Sequence, residues 1–180
     1  AQVMGERMAA ALADEIAAGA KRGKPTRAIV PCGPNAWYAP WRRLVNERKL
    51  SLRDLHVFHM DECLDWQGRP LPAGHPYNFR TFMEREFYGG IPPELAVPPA
   101  QRHWLLPSTL EAVAAALAAE PADITLGGWG QDGHVAYNQA RRHPYSAVTL
   151  EDVAGSTARI QENNWDTILA LAQRTFGSAW

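Results

Sequence analysis

Cysteine is almost missing from the 180 residues: Cys32 and Cys63 are the only two. Two thiols at irregular spacing make no disulfide framework of the kind that holds small secreted domains together, and a reducing, cytoplasmic setting is the expectation. Long apolar runs are also missing. The longest, around "LEAVAAALAA", stops short of the ~20 residues a bilayer-crossing helix needs, and the first residues lack signal-peptide anatomy, so no membrane partner is expected. Charge of one sign is not in excess either. Eighteen basic residues against nineteen acidic ones leave a net charge of −1. The basic residues are scattered, which excludes the electrostatic footprint of a nucleic-acid binder and leaves a small molecule as the expected ligand.

What is present is an ordinary globular composition, 46% hydrophobic and 21% charged, enough for one domain spanning residues 1–180. The opening stretch places Val3, Met4, Met8, Leu12 and Ile16 at helical spacing, which predicts an amphipathic helix with that face on a sheet. "RAIVP", "LHVFHM" and "DITLGG" read as buried strands. Between them, helices are expected near Pro40, over "YNFRTFMEREF" with Phe79, Phe82, Met83 and Phe87 inward, and after a Ser108/Glu111 capping box. Strands alternating with helices predict a Rossmann-like, three-layer α/β/α fold with a mainly parallel sheet.

Three polar loops, "PCGPN", "MDECLD" and "GGWGQDGH", leave the C-terminal ends of those strands, where ligands of open α/β sheets bind. Asp61 at a strand exit either caps a turn or, partly desolvated, serves as a general base. Asp132 and His134 flank Gly133, so a carboxylate can orient an imidazole for acid–base work. Gly33 permits close backbone approach by an anion and Asn35 offers a donor, while Pro34 removes one. His59, Asp61, Glu62, Cys63 and His75 invite a metal, but strand alternation keeps them from converging, and no metal site is expected. Arg141 and Arg142 are either an anion clamp or a solvated pair. Trp37, Trp41, Trp66, Trp129 and Trp165 read as core or rim, with Trp129 placed to line a sugar face.

"MDECLDW…HPYNFRTFM" followed by "GGWGQDGHVAYN" resembles the glucosamine-6-phosphate deaminase/isomerase family, from about residue 27 onward. The related 6-phosphogluconolactonases resemble it less in the Met-Asp-Glu region. The resemblance implies a cofactor-free enzyme that opens a phosphorylated amino sugar, moves a proton between C2 and C1 and releases ammonia. Asp61 would shuttle the proton and His134, oriented by Asp132, would assist ring opening. Gln139 stands where the family has a glutamate, and His143 is a neighbour that could replace it. Gly33, Asn35, Glu62, Gly130 and Arg174 would contact the substrate. A lactonase-type hydrolase and a catalytically silent sugar-phosphate sensor are the alternatives. By the family's pattern the chain lacks a first strand and C-terminal strands, so either more sequence or a partner, such as a second copy of the chain, is expected to cover the sheet.

Overall fold

The computed structural model describes residues 1–130, 132–139 and 148–178. The chain divides into two compact units, Ala1–Gly127 and Gly128–Trp180.

The first unit opens with helix α1 (Gln2–Arg22), followed by strand β1 (Thr26–Val30), a 3-10 turn over Asn35–Trp37 and helix α2 (Tyr38–Arg48). Strand β2 (Leu55–His59), helix α3 (Phe79–Glu86), the short strand β3 (Arg102–His103), helix α4 (Leu110–Ala119) and strand β4 (Ile124–Thr125) complete it. All strand pairs are parallel and the order is β3-β2-β1-β4. Each parallel connection therefore crosses over through a helix, as the alternation of patterns implies. The expected α/β class with a parallel sheet is what the chain forms.

Alternation along β1 explains the layering. Thr26, Ala28 and Val30 are buried toward α1, whose Glu15 carbonyl accepts from the Thr26 hydroxyl at 3.5 Å. Arg27 points the other way. Its guanidinium lies 4.7 Å from the centre of the Phe58 ring and donates to the α4 carbonyls of Ala116 (2.7 Å) and to the Glu120 carbonyl just beyond (3.0 Å). A cation on those otherwise unpaired carbonyls also complements the negative end of the α4 dipole. Helices thus cover both faces of the sheet.

The buried face of α1 is the expected one only in part: Leu12 and Ile16 lie on it, and its start does not follow the expectation. Gly5, Ala9, Leu12, Ala13, Ile16 and Gly19 are buried, whereas Val3 is 64% and Met4 42% exposed. Proximity decides this: a Cβ on Gly5 would stand 2.3 Å from the Ala36 carbonyl oxygen, so the helix approaches the turn before α2 only through its smallest residues. We therefore expect Gly5→Ala to lower stability by about 1–3 kcal/mol, the usual cost of overpacking, although alanine is the better helix former. A thermal melt checks this, and a raised midpoint would contradict it.

Two further differences are local. The Ser108/Glu111 capping box does not form, because α4 begins at Leu110 with Thr109 before it, and the Thr109 hydroxyl is drawn to the Leu106 N–H (3.0 Å) and the Trp104 carbonyl. Strand β3 was not expected; two residues are too few to display a period. Helix α3 buries Phe79 and Met83 as their spacing implies.

The second unit contains a tight turn at Val135–Asn138 and helices α5 (Leu150–Ala154) and α6 (Trp165–Phe176). Among the described residues no helix is long and apolar enough to cross a membrane.

Candidate functional site

In the first unit the chemistry gathers where β1 and β2 end. Beyond β1, the backbone N–H of Cys32 donates to the Asp61 carboxylate. Oδ1 of Asp61 is buried and, among the described residues, has no hydrogen-bond partner. Burial above all, with the neighbouring Glu62 adding to it, pushes the Asp61 carboxyl up to about 7 against the Cys32 hydrogen bond. An unpaired buried carboxylate oxygen is costly and rare, and this one titrates near neutrality, where a general base works best.

Glu62, one residue later, is fully engaged. Its Oε1 accepts from the Cys63 N–H (3.0 Å) and the Phe79 N–H (2.7 Å), and its Oε2 from the Arg80 N–H (2.8 Å). The last two are orphan donors of the first turn of α3, and Asn78 caps that helix by accepting from Thr81 at 2.7 Å. Glu62 therefore anchors the loop after β2 to a helix that starts seventeen residues further along the chain, a role with no local sequence signal.

The other residues whose types invited a metal are each occupied separately. His59 is buried, stacks on Trp104 at 3.8 Å between ring centres and meets the Tyr88 hydroxyl at 3.0 Å through Nε2. Burial, helped by Arg102, His103 and Arg80, pushes its imidazole down to about 3, so it stays neutral. The His75 Nδ1 accepts from the Tyr77 N–H at 3.1 Å. Cys32 and Cys63 share no disulfide, and burial, then Asp61 and Glu62, push the Cys32 thiol far above its ordinary range. Such a thiol stays protonated and unreactive. Trp104 and Arg80, whose guanidinium lies 5.1 Å from the Trp104 ring centre, line the same recess as Asp61, and sequence reasoning missed both. Gly33 is exposed with open space where a Cβ would stand, and Asn35, also exposed, starts the 3-10 turn.

The second unit holds the other group. Gly133 adopts φ 85°, which turns the chain so that Asp132 and His134 lie on one side. Asp132 Oδ1 receives His134 Nδ1 in a short contact, and the two side chains are 10% and 15% exposed. Burial would raise the Asp132 carboxyl, but its hydrogen bonds and ion pairing with His134 prevail and hold it below the usual carboxylate value. The carboxylate is thus the acceptor, Nδ1 carries the proton it receives, and Nε2 is the ring's other nitrogen, turned away from Asp132. No described residue hydrogen-bonds Nε2.

Two features seat this imidazole. A Cβ on Gly130 would lie 2.1 Å from His134 Cε1, so only glycine leaves room for the ring. Ala136 and Tyr137 both have φ 55°, a left-handed pair that closes the turn and stacks the Tyr137 ring on His134 at 5.0 Å. Holding two non-glycine residues there costs ~1 kcal/mol or more each, the kind of strain that accumulates at functional sites.

Gln139 belongs to this group. Its Nε2 donates to Asp132 Oδ2 at 2.8 Å and to the Thr167 hydroxyl of α6, and its Oε1 accepts from the Asn164 N–H at 2.8 Å. Thr167 and Asn164 lie more than twenty residues away, beyond the reach of motif reading. Arg174 is exposed in the last turn of α6, where its charge suits the helix dipole. Trp37 and Trp41 are core residues, whereas Trp66, Trp129 and Trp165 are exposed. Arg141, Arg142 and His143 lie outside the described residues.

No protein-family model matches the chain. Among curated proteins, the glucosamine-6-phosphate deaminase of Porphyromonas gingivalis is 30% identical over 156 residues, covering 82% of this chain and 52% of the relative. That of Beutenbergia cavernae is 32% identical over 119 residues, 62% of this chain and 42% of the relative. The chain thus spans about half the length of the curated relatives it matches. A solved monomeric glucosamine-6-phosphate deaminase of the NagB superfamily superposes with a TM-score of 0.71 over 97% of this chain and 66% of its own, at 19% identity, so the fold is common to both. With that fold, and about 30% identity across most of its length, the chain is a divergent member of the glucosamine-6-phosphate deaminase/isomerase family.

Proposed function

We propose that the chain carries acid–base residues of a sugar-phosphate deaminase/isomerase acting on a phosphorylated amino sugar. The observation that carries this reading is the unpaired Oδ1 of Asp61 on a carboxyl that titrates at about 7. Such a group is ionised in part at neutral pH and returns a proton as readily as it takes one. Asp61 abstracts the proton at C2 of the opened sugar and delivers it to C1, and water then adds to the resulting imine at C2, leaving the ketose as ammonia departs. His134 acts earlier: with the ring oriented by Asp132 at Nδ1, Nε2 relays the proton of the anomeric hydroxyl to the ring oxygen as the ring C1–O bond breaks. The exposed backbone at Gly33, with Asn35, receives the phosphate.

Incubating the protein with glucosamine-6-phosphate while assaying ammonia and ketose phosphate tests the proposal. Turnover well above an Asp61→Asn control is expected, and equal rates would sink it. Opening of a phosphogluconolactone that survives Asp61→Asn would instead mark a hydrolase in which Asp61 is dispensable. Ligand-induced stabilisation with no turnover of either substrate would mark a sensor.

A further inference from the structure

Tyr38 opens helix α2 and is buried, with its hydroxyl turned back onto the turn that follows β1. The hydroxyl oxygen lies 2.7 Å from the Pro31 carbonyl oxygen and 2.7 Å from that of Cys32, with Met83 Sδ at 3.1 Å. Its one proton is thus shared between the carbonyls of two successive peptides. Burial above all, then the Cys32 thiol and the Asp61 and Glu86 carboxyls, hold this hydroxyl far above its ordinary range. Tyr38 therefore stays a donor wherever Asp61 titrates.

The peptide between Pro31 and Cys32 is held at both ends. It is trans and planar, so its carbonyl and its N–H point in opposite directions. The carbonyl meets the Tyr38 hydroxyl, and the N–H donates to the Asp61 carboxylate. Hydroxyl, peptide and carboxylate form one chain of hydrogen bonds, and the members of such a chain polarise one another. A donor on the carbonyl makes the amide a better donor at its far end. We propose that Tyr38 is a positioning residue for the general base: its hydroxyl fixes and polarises the Pro31–Cys32 peptide, and through it sets how readily Asp61 takes up a proton.

The other titratable groups near Asp61 act on it without this link. Glu62 adjoins it on its own loop and is engaged by the start of α3, and Cys63 follows. The Cys32 thiol keeps its proton, and His59 of β2 stays neutral. Arg80 of α3 lines the same recess and directs its Nε to Glu84 at 3.1 Å, while Glu86, which bears on Tyr38, is met by Arg42 at 2.8 Å.

The inference rests on the reading of Asp61 as a general base, and its test follows the carboxyl itself so that the two fail separately. Carbon-13 NMR of protein labelled at aspartate and tyrosine gives the midpoint of the Asp61 titration. Tyr38→Phe keeps the ring and removes the hydroxyl, and is expected to raise that midpoint by about half a unit, roughly a threefold change in proton affinity. The acid limb of turnover should move up with it. Because two carbonyls lose their donor, some stability is lost whatever the role of Tyr38. Val45→Ala separates the two effects: it truncates a buried residue about two turns further along the same helix, and its Asp61 midpoint should stay at the parent's. The parent supplies a reading that needs no variant. Tyr38 keeps its own proton, so its Cζ signal should move with the Asp61 midpoint as the chain of bonds responds. An unmoved midpoint in Tyr38→Phe, an equal rise in Val45→Ala, or a parent Tyr38 Cζ signal that stays still while Asp61 titrates would each overturn the proposal. Should the parent turn over no sugar phosphate, the proposed function falls while the Asp61 midpoints still decide the role of Tyr38.

Discussion

Asp61→Asn is expected to give a protein that is more stable than its parent above neutral pH and nearly inactive. The sign follows from the carboxyl. Its ordinary value is 3.8 and burial holds it at about 7 in the folded chain. Between these values the folded state keeps a proton that the unfolded state has lost, so stability falls as pH rises through the window and is lowest above about 7. Three units correspond to about 4 kcal/mol. Asparagine has nearly the same shape and never ionises, so the variant lacks this loss, and denaturant melts at pH 8 should place it a few kcal/mol above the parent. Loss of a general base meanwhile removes between about a hundredfold and ten-thousandfold in rate. Equal stability of the two proteins at pH 8 would show that Asp61 is not desolvated in solution.

The same substitution exposes a second titration. His59 has an ordinary value of 6.5 and is held at about 3 in the folded chain. The unfolded state gains a proton below 6.5 that the folded state refuses until about 3, so this residue makes stability fall on acidification across that interval. In the parent the two slopes oppose each other between about 3.8 and 6.5. Without Asp61 the His59 slope stands uncovered, and the variant should become acid-labile where the parent is nearly flat.

The second large effect is at Gly130. Gly130→Ala puts a methyl 2.1 Å from His134 Cε1 and 2.3 Å from Nδ1, so the ring must leave its seat. Displacing a catalytic group by about an ångström costs on the order of a hundredfold in rate, and we expect kcat to fall by that much with KM nearly unchanged. A variant that unfolds more easily yet keeps its full kcat when folded would show that His134 takes no part in the reaction.

These residues differ in how far sequence alone reveals them. The pairing of Asp132 with His134 was legible from the glycine between them, and the position of Asp61 from the buried strand it follows. Gly130 stood out as part of a motif, but its reason, the absence of a methyl beside a ring four residues on, is spatial. The burial at the start of α1 was misjudged for a related cause: ranking its residues by hydrophobic size favours Val3 and Met4, whereas the distance of approach to Ala36 selects Gly5. The stack of His59 on Trp104, and the bond from Gln139 to Thr167, join residues too distant along the chain for any period or spacing to link them.

The neighbouring carboxylates Asp61 and Glu62 carry a warning for mutational scanning. One has an oxygen with no partner and the other serves three backbone donors. Removing Glu62 would leave the Phe79 and Arg80 N–H groups without their acceptor and loosen the loop that carries Asp61, so an activity screen would rank both positions alike. Only a measurement of folding separates a residue proposed to meet the substrate from one that keeps its neighbour in place.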